Sequence, residues 1–121
     1  MHMIMLVLDD PDRLDAVVEA WQSIGVSGVT MMETMGAYRR ARRRVTGRYV
    51  FGLSGLAETA ERSQYTLFAI VPDQGTAGLC LEATERIVGD LAEPDTGVFA
   101  SWQLALAKGV PAQASRSEAE E

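Results

Sequence analysis

Cysteine, histidine, long apolar runs and dispersed positive charge are what this 121-residue chain has least of. A single cysteine, Cys80, can close no disulfide within one chain and can build no cysteine metal knuckle, so stapled and zinc-ribbon scaffolds are excluded. Standing in a stripe of helical spacing, it reads as a small buried hydrophobe. The one histidine, His2, lies at the extreme N-terminus, with no glycine-rich lysine loop or paired metal motif to accompany it. Catalysis is poorly provided for, and the chain is not expected to be an enzyme. No apolar run reaches the roughly eighteen residues that a membrane-crossing helix needs. The opening MHMIMLVLDDPD lacks a basic leader and meets acids after eight residues, so no signal peptide is expected and the cytoplasm is the expected location. Positive charge is scarce outside one segment. Residues 39–48 hold six arginines and no acid, while the rest of the chain balances at 5 − 17 = −12 within a total of −6. Segregation of that kind needs a reason.

The chain length is that of one domain, and apolar residues at 47% with charged residues at 23% are ordinary globular values. MIMLVL, residues 3–8, is too short for a helix before Pro11 and reads as a buried strand. Asp10 then caps a helix with Pro11 at its first position. Leu14, Val17, Val18, Trp21 and Ile24 recur at spacings of three and four before Gly25 stops it. VTMMETMG, residues 29–36, is β-branched and apolar enough for a second strand. QYTLFAIV, residues 64–71, alternates between Ser63 and Pro72-Asp73 and marks a third. Cys80, Ala83, Thr84, Ile87, Val88 and Leu91 form the stripe of a second helix, and GVFASWQLAL, residues 97–106, supplies the fourth strand. The tail from residue 111 is small, polar and acidic and buries too little apolar surface to offset its ordering.

The order β-α-β-β-α-β predicts an α+β domain of the ferredoxin-like, split βαβ kind over residues 1–110, two helices covering one face of a four-stranded antiparallel sheet. Residues 37–63 stand where a short hairpin loop would do, so they read as a functional insertion. The face of the sheet turned from the helices carries Met3, Met5, Phe68, Ile70 and Trp102 with few charges, which predicts a partner chain. Three explanations compete for the arginines: a solvated loop, a nucleic-acid arm, or a docking finger for an acidic protein, lipid or anion. A nucleic-acid module working through Arg39–Arg48 would show steep salt dependence. Against it, MIMLVL offers no exposed aromatic for RNA stacking, and the net charge of −6 opposes a broad polyanion footprint. The finger reading also accounts for Val50, Phe51, Leu53 and Leu56, apolar residues that a purely solvated loop would not need. Glu33, an acid within a strand, reads as a strand-edge residue rather than a general base.

In GVTMMETMGAYRR, residues 28–40, Gly28, Thr30, Glu33, Gly36 and Arg39 follow one another at spacings that resemble the PII signal-transduction and PII-like proteins. ERIVGDLAEPDTGVFASW, residues 85–102, resembles that family's second helix, glycine-containing loop and last strand. The resemblance implies a homotrimer in which a small effector lies in clefts between neighbouring copies and the long loop between strands two and three acts on a target. By position it implies that Gly28, Val29 and Thr30 line the adenine side, that Gly36 and Arg39 stand at the strand-to-loop junction with Arg39 facing phosphates, and that Asp95, Thr96 and Gly97 offer backbone N–H groups. Lys108 matches one later basic residue of the family, and the other falls on Val110. The family's phosphate-binding lysine falls on Gly97. That departure favours AMP, ADP, a cyclic nucleotide or no nucleotide at all over ATP as effector, with an anion such as bicarbonate as a further ligand class. Arg40, Arg42, Arg43, Arg44, Arg48, Tyr49 and Phe51 become the docking loop. Tyr49 is read as a docking or packing residue rather than a nucleotidylated one. The target class the resemblance suggests is a membrane transporter, which would hold the chain at the membrane periphery. A CutA-type metal-tolerance trimer shares the predicted fold but wants metal ligands beyond one histidine, one cysteine and carboxylates.

Overall fold

The computed structural model describes residues 1–37 and 64–111. The expectations placed on Arg39, on the docking residues Arg40 to Phe51 and on the acidic tail from residue 112 lie outside the described residues. Strand β1 spans His2–Leu8, helix α1 Leu14–Ile24, β2 Val29–Thr34, β3 Gln64–Val71, helix α2 Gln74–Val88 and β4 Gly97–Gln103. The sheet order is β2-β3-β1-β4, with every neighbouring pair antiparallel. This is an α+β arrangement compatible with the ferredoxin-like fold.

Alternation along the strands sorts the side chains into two faces. Ile4, Leu6 and Leu8 of β1 and Leu67, Ala69 and Val71 of β3 are buried on one face, where they meet Val17 and Trp21 of α1 and Ala77 and Cys80 of α2. Each fully buried Leu or Val contributes about 2 kcal/mol relative to an exposed one. The two helices are joined at their buried faces by a polar link. The Trp21 indole N–H donates to Thr84 Oγ1 at 3.0 Å, and the Thr84 hydroxyl donates to the Cys80 carbonyl at 2.7 Å. Phe99 of β4 meets the Trp21 ring edge-on, with centroids 6.4 Å apart.

Local signals explain the element ends. Asp10 does cap, but what it caps is a 3-10 turn, Pro11–Arg13, which feeds α1; its carboxylate accepts the Asp12 N–H at 3.0 Å. Asp73 caps α2 by accepting both the N–H and the hydroxyl of Thr76, at 2.7 and 2.8 Å. Those two hydrogen bonds hold its carboxyl below the ordinary carboxylate pKa. Three sequence expectations overran. β2 ends at Thr34 rather than Gly36, and β4 at Gln103 rather than Leu106. Helix α2 ends at Val88, so Leu91 is not on its stripe; Gly89 turns the chain and the Leu91 N–H is taken by the Glu85 carboxylate at 3.0 Å.

Candidate functional site

The face turned from the helices carries no charged side chain on any strand. Register places Thr30, Met32 and Thr34 of β2, Thr66, Phe68 and Ile70 of β3, Met3, Met5 and Val7 of β1, and Val98, Ala100 and Trp102 of β4 on it. All five residues expected there from the sequence lie on this face. At a strand spacing of about 4.8 Å and a rise of about 3.3 Å per residue, these positions span about 400 Å² of sheet, with the three threonines its polar members. Met32, Val98 and Trp102 are 46%, 55% and 44% exposed.

A pocket lies at each end of the sheet. The larger, about 560 Å³, is built where β1 and β2 begin and β3 ends, and it brings Gly28, Val29, Thr30 and Lys108 together. After β4 the chain is tied to the start of β1 by the Leu104 N–H on the Met1 carbonyl at 2.9 Å, and then runs to the turn before β2. There Pro111 sits on Gly28 so closely that a Cβ on residue 28 would come within 3.0 Å of the proline Cγ. The floor is formed by Met3, Phe68 and Ile70, which the sequence had placed on the open face but had not connected with a cavity. No sequence signal joins Pro111 to Gly28; only the fold does.

The smaller pocket, about 260 Å³, lies where β1 and β2 end and β3 and β4 begin, and gathers Gly36, Asp95 and Gly97 with Val7, Asp9 and Gln64. Gln64 donates to Asp9 at 3.1 Å, and the Thr34 hydroxyl lies 3.4 Å from the Gln64 carbonyl oxygen and 2.8 Å from the Thr66 hydroxyl. This polar cluster was not foreseen. Thr96 lies between Asp95 and Gly97 with its hydroxyl 3.4 Å from the Pro94 carbonyl. Gly97 has φ 145°, and a Cβ there would stand 2.5 Å from the Val7 carbonyl oxygen. The backbone therefore admits no side chain at this position, a lysine included. Asp95, at φ 58°, takes a left-handed conformation that aspartate tolerates better than most residues.

The ligand residues expected from the sequence thus divide into two groups at opposite ends of one sheet, and within one chain they do not converge. Glu33 is exposed on the edge strand β2. Cys80 is fully buried, and desolvation pushes its thiol pKa up to about 11, which leaves it a packing residue and not a nucleophile. Among the described residues no group of three or more His, Cys, Asp or Glu side chains is placed to hold a metal ion, and no helix is long and apolar enough to cross a membrane. No protein-family model and no curated protein sequence matches the chain.

Proposed function

We propose that the chain is a regulatory protein of the PII-like kind, a non-catalytic homotrimer that binds an adenine nucleotide in the clefts between copies and acts on a target through residues 37–63. The observation that carries this reading is the division of the family-matched residues between the two ends of the sheet. Gly28, Val29, Thr30 and Lys108 stand at one end, Gly36, Asp95 and Gly97 at the other, with an uncharged apolar face between them. A ligand that needs both groups can have them only from two copies of the chain. Packing the open faces against one another supplies that arrangement, and it covers an apolar area that water would otherwise meet. A small ligand in the cleft then biases residues 37–63 only to the extent that it binds one of their states better than another. Arg39, at the junction of strand and loop, is the coupler in this reading, because one guanidinium can hold a phosphate in one state and release it in the other.

Sedimentation velocity combined with titration calorimetry tests it. A trimer is expected, with AMP or ADP binding that Arg39→Ala weakens, while Ala100→Asp, on the open face and in the lining of neither pocket, dissociates the assembly and abolishes nucleotide binding with it. A monomer at all concentrations that binds no adenine nucleotide refutes the reading.

A further inference from the structure

Three of the chain's six methionines stand between positions 31 and 35, on and just after β2, which is an edge strand of the sheet. Met31, Met32 and Met35 are 51%, 46% and 51% exposed. Alternation sends the first two to opposite faces. Met31 pairs with Leu67, a buried residue of the helix-covered face, whereas Met32 pairs with Thr66 on the open face. The two thioethers are thus matched in exposure and differ in the face they occupy. Met3 and Met5 share the open face but lie on the interior strand β1, where they are half-buried. Cys80 is no alternative target for an oxidant, because it is fully buried.

We propose that Met32 is an oxidant-sensitive modification site, at which a hydroperoxide converts the thioether to a sulfoxide and keeps the chain from assembling through its open face. The sulfur attacks one peroxide oxygen and an S–O bond forms as the O–O bond breaks. Sulfur gives up two electrons, and the other oxygen takes the proton and leaves as water or an alcohol. The product is a polar group where the side chain was apolar, and it needs a hydrogen-bond donor once water is excluded. Its cross-strand neighbour has none to give. The Thr34 hydroxyl donates to the Gln64 carbonyl oxygen at 3.4 Å, so in the 2.8 Å contact between Thr34 and Thr66 it is Thr66 that donates. Both hydroxyl protons are spent within the sheet. In the free chain water serves the sulfoxide, and under a packed copy neither threonine replaces it. Assembly and oxidation therefore oppose each other: the covered thioether is shielded from peroxide, and the oxidised one resists being covered. This deepens the regulatory reading above and rests on it for the statement that the open faces pack together.

The test treats the full chain with hydrogen peroxide over a range of protein concentrations, reads each methionine by tandem mass spectrometry and follows assembly by sedimentation velocity. Met31 is the internal reference. Where the chain is dissociated, Met32 and Met31 are expected to oxidise at rates within about twofold of each other; where it is assembled, Met32 is expected to slow at least about fivefold while Met31 keeps its rate. Sulfoxide at Met32 is expected to raise the protein concentration needed for assembly by at least about tenfold, and methionine sulfoxide reductases to restore it. Met32→Leu is expected to assemble as wild type does and to lose the response to peroxide, Met32→Gln to imitate the oxidised chain, and Met31→Leu to leave the response intact. A trimer that stays assembled once Met32 is oxidised, or that dissociates in peroxide as readily with leucine at position 32, overturns the switch and leaves the trimeric nucleotide-binding reading standing. An unoxidised chain that is monomeric at every concentration removes that reading and the switch with it.

Discussion

Thr84→Val should cost about 2 kcal/mol of stability, although it exchanges one β-branched side chain for another of nearly the same shape. Trp21 and Thr84 are both fully buried, and the Thr84 hydroxyl is the acceptor 3.0 Å from the indole N–H. Valine fills the same space but offers that N–H nothing, and an orphaned buried donor costs about 1–3 kcal/mol. The Cys80 carbonyl loses only the second of its partners, since it remains within the hydrogen-bonding frame of α2. Thr84→Ser provides the complementary measurement. It keeps the hydroxyl and removes one methyl, about 1 kcal/mol. The expected order of stability is therefore wild type, serine, valine. For a chain of this length, about 2 kcal/mol corresponds to a fall in melting temperature of about 8 °C. Urea titrations at fixed protein concentration measure it, with Trp21 fluorescence isolated in a Trp102→Phe background. If the valine variant falls within about 0.5 kcal/mol of wild type, or is more stable than the serine one, packing and not the hydrogen bond joins the helices.

Cys80 should be silent to thiol reagents in native buffer at pH 8, because it is fully buried and its thiol pKa is pushed up to about 11, and it should become reactive along the same urea transition that unfolds the core; rapid labelling of the native chain would show the helix interface to be open. Asp73→Asn tests the charge on the α2 cap. The folded-state pKa of Asp73 is depressed, so its charge contributes stability that is present above the unfolded value near 3.9 and is lost as the pH falls through the lower folded value. The stability gap between wild type and Asp73→Asn should accordingly close as the pH drops below about 4, and a gap that instead widens in acid refutes the assignment.

What could be read from the sequence was what local pattern specifies. Gln64–Val71 was bounded to the residue because its alternation and its flanking Ser63 and Pro72-Asp73 agree. The stripe of α1 and its stop at Gly25 were equally plain, since Gly25 passes its N–H to the Gln22 and Trp21 carbonyls as the helix closes. β4 overran because ASWQLAL stays apolar past Gln103, where the only remaining ladder bond is the one from Leu104 to Met1. The larger pocket was half visible: Gly28, Val29, Thr30 and Lys108 were named, and they do share a cavity. Its roof was hidden, because Pro111 and Gly28 are far apart in the chain and no periodicity links them. The polar cluster of Asp9, Gln64 and Thr34 was hidden for the same reason, each member belonging to a different strand or strand end.

The smaller pocket gives the segregated arginines a physical reason under the proposed function. The described residues that line it contribute two carboxylates, Asp9 and Asp95, and no cation. Gly97 cannot supply one, since the Val7 carbonyl occupies the space where its side chain would begin. Under the proposed function, a phosphate held at this end takes its positive charge from residues beyond the described lining. Gly36 lines the pocket and Arg39 follows it by three residues, a covalent reach of at most about 10 Å. Concentrating arginines just beyond Gly36, in a chain that is otherwise strongly acidic, puts dense positive charge within reach of that end. On this argument Arg39 serves ligand charge and the arginines beyond it serve the target, which is why removing Arg39 alone should lower nucleotide affinity.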